Sequence, residues 1–355
     1  MSQPSGRKFC VAMTADFFST SGALQFRDVG LSVLHNHPNI QHFGLREFRP
    51  QIGSDQLDGV QGVITMNVAV TADSVAHADD LLAIGRFGVG YNDIDVHACT
   101  TSDVVFFITP GAVDRSMAEA TVGWMIAVSH HVRAKDQLVR EGKWELVPNY
   151  MGCELRDRVF GAVGFGGIAR ATVRLLQSFG MKQPIAYDPY LDRAQMRADG
   201  AEPVTLDQLM AQADFVSVHC PLTDATRDLI TKKEFGLMKP DAFLINTARG
   251  GIVNEGDLFE VLSNRSIAGA AIDCFVGEPF NEPHRFGQLE NVLMAPHAIG
   301  LTHELFRDIG TLACQTMVEL AYGRRPLRGV VNRDVFDRPS FRTKWQRLRL
   351  AGDSV

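Results

Sequence analysis

The chain predicts an α/β fold in which one doubly wound, parallel-sheet domain is inserted into a second parallel-sheet domain. Three observations carry that prediction. Short β-type runs alternate with helix-like stretches along most of the 355 residues. The alternation restarts mid-chain as a second, longer series. A glycine-rich turn, Gly164-Phe165-Gly166-Gly167-Ile168-Ala169, opens that second series. Strand-helix alternation of this kind favours a parallel sheet covered on its faces by helices.

The first series reads Phe9–Met13, Gly62–Met66, Leu82–Ile84 and Val104–Ile108 as strands, with a helix-like stretch over Thr71–Leu81. A long helical segment is expected from about Ser116 to Gly142. Its Met117, Val122, Met125, Ile126, Val132 and Leu138 form a broad, imperfect apolar stripe. Trp144 ends that stretch, and Val147-Pro148-Asn149 opens a loop. The second series predicts strands at Val159–Val163, Ile185–Tyr187, Phe215–His219, Ala242–Ile245, Ala268–Ile272 and Asn291–Met294, with helices at Ala169–Phe179 and Glu255–Asn264. Six strands with intervening helices make a complete dinucleotide-binding sheet. One more helix is expected from His303 to about Tyr322. The economical organisation is a discontiguous outer domain (1–115 and 302–335), an inserted domain (116–301), and a tail (336–355). Arg324, Arg325, Arg328, Arg333, Arg338, Arg342, Arg347 and Arg349 make the C-terminal stretch basic, a pattern expected to be solvated or packed on a partner subunit.

Bulk composition excludes more than it proposes. Hydrophobic residues make up 45% of the chain and charged residues 21%, enough for two domains with real cores. A formal net charge of −6 argues against a nucleic-acid partner, which would call for a basic face. No apolar run approaches the roughly 20 residues that span a bilayer. The polar start, Met1 to Lys8, lacks the apolar centre of a signal peptide. Cys10, Cys99, Cys153, Cys220, Cys274 and Cys314 are scattered without a CxxC pair, so they read as reduced thiols in a cytoplasmic protein. His35, His37 and His42 share no ligand-like spacing with a carboxylate or cysteine, and no metal is expected.

The glycine turn gains meaning from its context, since it follows a predicted strand and opens a predicted helix. Gly164 permits the tight turn, Gly166 lets backbone approach a pyrophosphate, and Ala169 keeps helix and strand close. The helix N-terminus adds free N–H groups and the positive end of a dipole. Asp188 ends the next strand, 22 residues beyond Gly166, where an acidic side chain binds ribose hydroxyls and repels a 2′-phosphate. NAD is therefore the expected cofactor.

Three ionisable residues follow later strands of the same series: Arg249, Glu278 and His297. Open α/β sheets bind ligands at that end. Oxidising a secondary alcohol with a nicotinamide needs a base for the hydroxyl proton, and histidine titrates near neutrality. A carboxylate such as Glu278 would orient it. Arg249, always charged, can grip a carboxylate and polarise a keto oxygen.

At this point the residues resemble a known family. Gly164–Arg170, Phe179-Gly180-Met181-Lys182, Tyr187-Asp188-Pro189, Val218–Thr223, Asn246–Val253, Ala271–Pro279 and Pro296-His297 are similar to the D-isomer-specific 2-hydroxyacid dehydrogenases, with the closest look to their D-3-phosphoglycerate dehydrogenase branch. The likeness extends to Gly85–Asp95, Ala118-Glu119 and Gly329–Asn332. The resemblance implies two Rossmann-like domains, the dinucleotide domain sitting within a flavodoxin-like substrate-binding domain. It implies catalytic roles for Arg249, Glu278 and His297. It implies that Gly167, Ile168, Cys220, Thr247, Ala248 and Asp273 line NAD together with Gly164, Gly166 and Asp188. The loop Gly88-Val89-Gly90 would offer backbone amides to the substrate carboxylate, and Arg86 would be a further substrate-binding residue. It further implies a homodimer formed through the dinucleotide domains.

Departures from the phosphoglycerate branch bear on the substrate. Met66 stands where that branch carries an arginine beside the substrate phosphate, and Val113 where an asparagine is common. Ala298-Ile299-Gly300-Leu301-Thr302 also differs from that branch's loop. Losing one such arginine removes a charge-assisted hydrogen bond worth roughly 1.5–3 kcal/mol. The expected substrate is a non-phosphorylated 2-hydroxy acid or 2-keto acid. D-3-phosphoglycerate oxidation, glyoxylate or hydroxypyruvate reduction, and a non-catalytic NAD sensor are the alternatives.

Overall fold

The computed structural model describes residues 8–351, which separate into two compact units: one running up to Val113 and resuming at Thr302, the other Asp114–Leu301. The first is built on five parallel strands, β1 (Phe9–Met13), β2 (Ile40–Gly44), β3 (Gly62–Thr65), β4 (Ala83–Arg86) and β5 (Val105–Phe107), in the order β2-β1-β3-β4-β5. The central strands are near-continuous apolar runs because a parallel sheet is buried on both faces. Strand β2 sits at the edge, alternating buried Ile40 with exposed Gln41 and Phe43, and its polar content is why the sequence reading passed over it. The expected helix Thr71–Leu81 shrinks to Ala72–Val75. Beyond it Asp79 and Asp80 offer no apolar face, and the chain turns into β4.

The other unit carries seven parallel strands where six were expected: β6 (Phe160–Val163), β7 (Ile185–Tyr187), β8 (Glu202–Pro203), β9 (Phe215–Val218), β10 (Phe243–Asn246), β11 (Gly269–Ile272) and β12 (Val292–Met294). Their order is β12-β11-β10-β9-β6-β7-β8. The extra strand β8 is two residues long and contains Pro203, a residue tolerated only at a sheet edge. Phe215 and Phe243 stack in the core with ring centroids 5.5 Å apart. The long helix expected across Ser116–Gly142 is instead two, Asp114–Ser129 and Val132–Glu141, broken at His131 with φ +52°. The imperfect stripe had a cause. Val122, Met125 and Val128 are buried in the first helix, whereas the second buries only Leu138.

The helix His303–Ala321 returns the chain to the first unit, its Thr302 Oγ1 accepting from the Leu305 N–H at 3.0 Å. It packs closely enough that a Cβ on Gly310 would overlap the Val29 carbonyl, and one on Gly62 would meet the Met317 sulfur. Asn332 then pairs with the edge of β5, accepting from the Phe106 N–H at 2.7 Å and donating to the Val104 carbonyl at 2.8 Å. The basic stretch is not a free tail. Pro339–Leu348 is a helix docked on its own unit, with Phe341 and Leu348 buried, the Trp345 indole donating to Leu320 O at 2.8 Å, and Arg338 and Arg347 paired with Asp103 and Asp80. The sequence reading counted its arginines and overlooked the apolar spacing between them.

Candidate functional site

In the Asp114–Leu301 unit the chain leaves β6 for β7 and β8, then returns to lay β9 against the other side of β6. Open α/β sheets bind ligands at such a switch point, beyond the C-terminal strand ends. Gly164 follows β6 with φ +88°, and a Cβ there would come within 2.7 Å of the Cys220 nitrogen after β9. Only glycine fits both demands. Gly166 has open space where a Cβ would point, so backbone can be approached there. It precedes the helix Gly167–Leu176, which begins with Ile168 in its first turn. The Asp188 carboxylate, just past β7, accepts from the Phe165 N–H at 2.9 Å and the Tyr190 N–H at 3.0 Å. The turn and its acid therefore form one hydrogen-bonded cradle, and these residues fit a dinucleotide.

Several cradle features carry no motif. A Cβ on Gly167 would collide with the Asp114 carboxylate, whose pKa burial raises against the pull of Arg174 and Arg170. His219 is half-buried beside Cys220, its Nε2 at 2.8 Å from Ser217 Oγ and its Nδ1 enclosed, and burial lowers its pKa to about 4. Burial likewise pushes the Cys220 thiol up to about 11.

Strands β10, β11 and β12 are neighbours, so the segments carrying Arg249, Glu278 and His297 leave the same sheet edge side by side. After β10, Asn246 ties its own turn, accepting from the Ala248 N–H at 3.1 Å and donating to Arg249 O at 3.0 Å. Thr247 is buried there, and the Arg249 guanidinium donates to Ala248 O at 2.6 Å. After β11, Asp273 is 2% exposed and grips the segment that follows β12. Its carbonyl accepts from the His297 N–H at 2.8 Å, and its carboxylate from the Ala298 and Ile299 N–H groups at 2.8 and 3.2 Å. Burial raises the Asp273 pKa, with those two N–H groups opposing.

Those bonds hold His297 in a left-handed conformation, φ +54°, uncommon for a side chain of its size and typical of strained functional positions. Its Nδ1 lies 2.5 Å from Glu278 Oε1, while Glu278 Oε2 accepts from the Phe275 N–H at 2.9 Å. The His297 side chain is 46% exposed and that of Glu278 27%. The Glu278 carboxylate is fixed at both oxygens, and it engages the imidazole through Nδ1. Cys274, buried between these loops, donates from Sγ to Ala248 O at 3.4 Å. A solitary cysteine behind Asp273 carries no spacing signal, and the sequence reading gave it no role. Among the described residues, Cys274, Glu278 and His297 are the one His, Cys and acid trio whose ligand atoms lie within 4.8 Å of each other. Of the polar-stretch histidines, His35 and His42 pair at 2.7 Å and His37 packs on Tyr322, with no third donor.

The loop expected to meet a substrate carboxylate belongs to the other unit. Gly88 has φ +129° and exchanges hydrogen bonds with Thr109, its N–H donating to Oγ1 at 3.1 Å. Arg86 donates to the carbonyls of Gly90 and Phe87 at 2.9 and 2.8 Å, so its guanidinium braces the Gly88-Val89-Gly90 loop. Met66 is buried and next to Asn67, whose N–H donates to the Asp16 carboxylate at 2.7 Å.

Among the described residues no helix is long and apolar enough to cross a membrane. Residues 122–298 match the family model described as D-isomer specific 2-hydroxyacid dehydrogenase, NAD binding domain. The chain is 34% identical over 273 residues to a glyoxylate reductase of Thermococcus litoralis, covering 75% of this chain and 81% of that one. It is 34% identical over 270 residues to a D-3-phosphoglycerate dehydrogenase of Archaeoglobus fulgidus, covering 76% of this chain and 51% of the relative, so it spans about half that protein's length. A solved structure of D-2-hydroxyisocaproate dehydrogenase shares the fold with a TM-score of 0.78 at 21% identity, over 91% of this chain and 99% of that one. A cradle built on Gly164 and Asp188, a His-Glu pair on adjoining strand ends, and these likenesses agree: the chain belongs to the D-isomer-specific 2-hydroxyacid dehydrogenase family.

Proposed function

We propose that this chain is an NAD-dependent oxidoreductase that moves a hydride between the nicotinamide and C2 of a non-phosphorylated D-2-hydroxy acid or 2-keto acid. The observation that carries this reading is the His297–Glu278 pair, 2.5 Å apart on a backbone that Asp273 pins. NAD, when bound, supplies the hydride acceptor. His297 takes the hydroxyl proton during oxidation and returns it during reduction, while Glu278 orients the ring and stabilises its charged form. Arg249 grips the substrate carboxylate and draws charge toward the keto oxygen as the bond polarises. In its own unit, the Gly88-Val89-Gly90 loop is held by Arg86 and by the Gly88 N–H bond to Thr109 Oγ1, and we assign it to recognition of a substrate carboxylate.

The substrate assignment rests on the buried Met66 and on Asp16, whose negative charge next to Asn67 disfavours a phosphate. A panel of glyoxylate, hydroxypyruvate, longer 2-keto acids and their phosphorylated counterparts tests this. Best kcat/KM on a phosphorylated acid overturns the substrate class. His297→Ala is expected to lower kcat by about 10²–10⁴ with NAD binding retained; full turnover removes the assigned base.

A homodimer is also part of this reading. Val132, Val139, Trp144, Val147 and Met151 are large, exposed apolar side chains within one short segment, and such patches mark protein interfaces. We place the enzyme in the cytoplasm, where its six unpaired thiols stay reduced.

A further inference from the structure

We propose that Cys274, Glu278 and His297 form a capture site for a thiophilic divalent cation such as Zn²⁺, and that its occupancy switches off proton transfer at His297. The second half of this inference rests on the acid-base role assigned to His297; the binding itself does not.

The donor set is sulfur, imidazole nitrogen and carboxylate oxygen, which suits Zn²⁺ or Cd²⁺ and disfavours Mg²⁺ and Ca²⁺. The three ligand atoms already lie within 4.8 Å of one another. Zinc bonds of about 2.0–2.3 Å place tetrahedral ligands roughly 3.3–3.8 Å apart, so the site forms when the His297–Glu278 pair opens from 2.5 Å and the sulfur comes about an ångström nearer to both. The burden falls unevenly. Cys274 is buried in the floor between two loops, whereas the Glu278 and His297 side chains are partly exposed and are the ones that must shift, Glu278 giving up its bond to His297 Nδ1. Their exposure also leaves the outward side of the ion open to water, giving the three-ligand, one-open-position arrangement. Outer contacts are in place: Phe275 N–H holds Glu278 Oε2, and Asp273 holds the His297 backbone.

Binding displaces the Cys274 thiol proton to solvent and leaves the imidazole with one proton, on its uncoordinated nitrogen. The metal occupies an imidazole lone pair and draws Glu278 away from its orienting bond. The ring then has no means of accepting a substrate proton, and turnover stops without any change in the dinucleotide cradle.

The test compares the wild-type protein with Cys274→Val and Cys274→Ser, the serine keeping a donor for Ala248 O should valine prevent folding. Turnover without added metal is expected to stay within about twofold. Zn²⁺ should inhibit the wild type reversibly, with EDTA restoring activity. The half-inhibitory concentration should rise at least about tenfold in either variant, equivalent to about 1.4 kcal/mol. Titration with Cd²⁺ should produce an ultraviolet thiolate-to-metal band in the wild type that is absent from the variants. This readout needs no substrate, so it separates failure of the metal site from failure of the enzymatic reading. Equal inhibition of wild type and variants, or Cd²⁺ binding without a thiolate band, overturns the proposal.

Discussion

At the end of β9, His219 is half-buried with Ser217 Oγ at 2.8 Å from Nε2 and its Nδ1 enclosed, and burial lowers its pKa to about 4 from the ordinary 6.5. The native state therefore refuses a proton that the unfolded chain accepts, and between those two values unfolding takes up a proton. Stability falls as pH drops from about 6.5 toward 4, by up to about 3 kcal/mol. His219→Gln, which can still bond Ser217 and cannot titrate, should flatten that decline. Urea midpoints at pH 7 and pH 5 measure it, and an equal acid loss in both proteins would remove His219 from the account. His297 lies in opposite surroundings: its side chain is exposed, and a buried neighbour, Asp273, supplies the rigidity. Neither arrangement could be read from a list of histidines, because both depend on what lies across the strand ends.

Elements explain why the two cradle glycines are not equivalent. Gly164 needs a left-handed backbone and close contact with Cys220 after β9, whereas Gly166 faces open space. Gly164→Ala should destabilise the protein without cofactor by about 1–2 kcal/mol from the backbone alone. Gly166→Ala should leave its melting temperature in place and weaken NAD binding, because the added methyl stands where phosphates approach. Calorimetric melting and NAD titration of both variants check this; equal losses of stability would contradict it. The break at His131 shows a second element-scale effect. The next helix, Val132–Glu141, is mostly polar yet leaves Val132 and Val139 exposed, and Trp144 follows at 67% exposure. Trp144→Glu is expected to shift sedimentation from dimer to monomer, and an unchanged dimer would place the interface elsewhere.

Across the molecule, the basic C-terminal stretch proves to be structural. Phe341 and Leu348 are almost completely covered, and the Trp345 ring lies 5.4–5.5 Å from Phe336 and Phe341. Burying each large apolar side chain contributes about 1.5–3 kcal/mol. Their sum approaches the 5–15 kcal/mol net stability of a domain. Ending the chain after Asp337 should therefore abolish or sharply lower the unfolding transition of the unit built on β1–β5, seen by scanning calorimetry. An unchanged transition would show the helix to be dispensable.

The sequence by itself determined the two parallel sheets, since buried parallel strands demand apolar runs that any reader can find. The glycine cradle was also legible, and so were Arg249, Glu278 and His297 as residues at the ends of neighbouring strands, because turn geometry and proton chemistry admit few residue types. Edge strands β2 and β8 escaped notice, being half-solvated and short, and the split at His131 hid within a blurred stripe. That Arg86 braces a loop, that Asp273 holds His297, and that Cys274 lies close to Glu278 and His297 emerges only from the folded chain. The reason is physical: strand order, not chain order, sets which loops meet. Residues from β10, β11 and β12 become neighbours through hydrogen bonds between strands that no local spacing encodes.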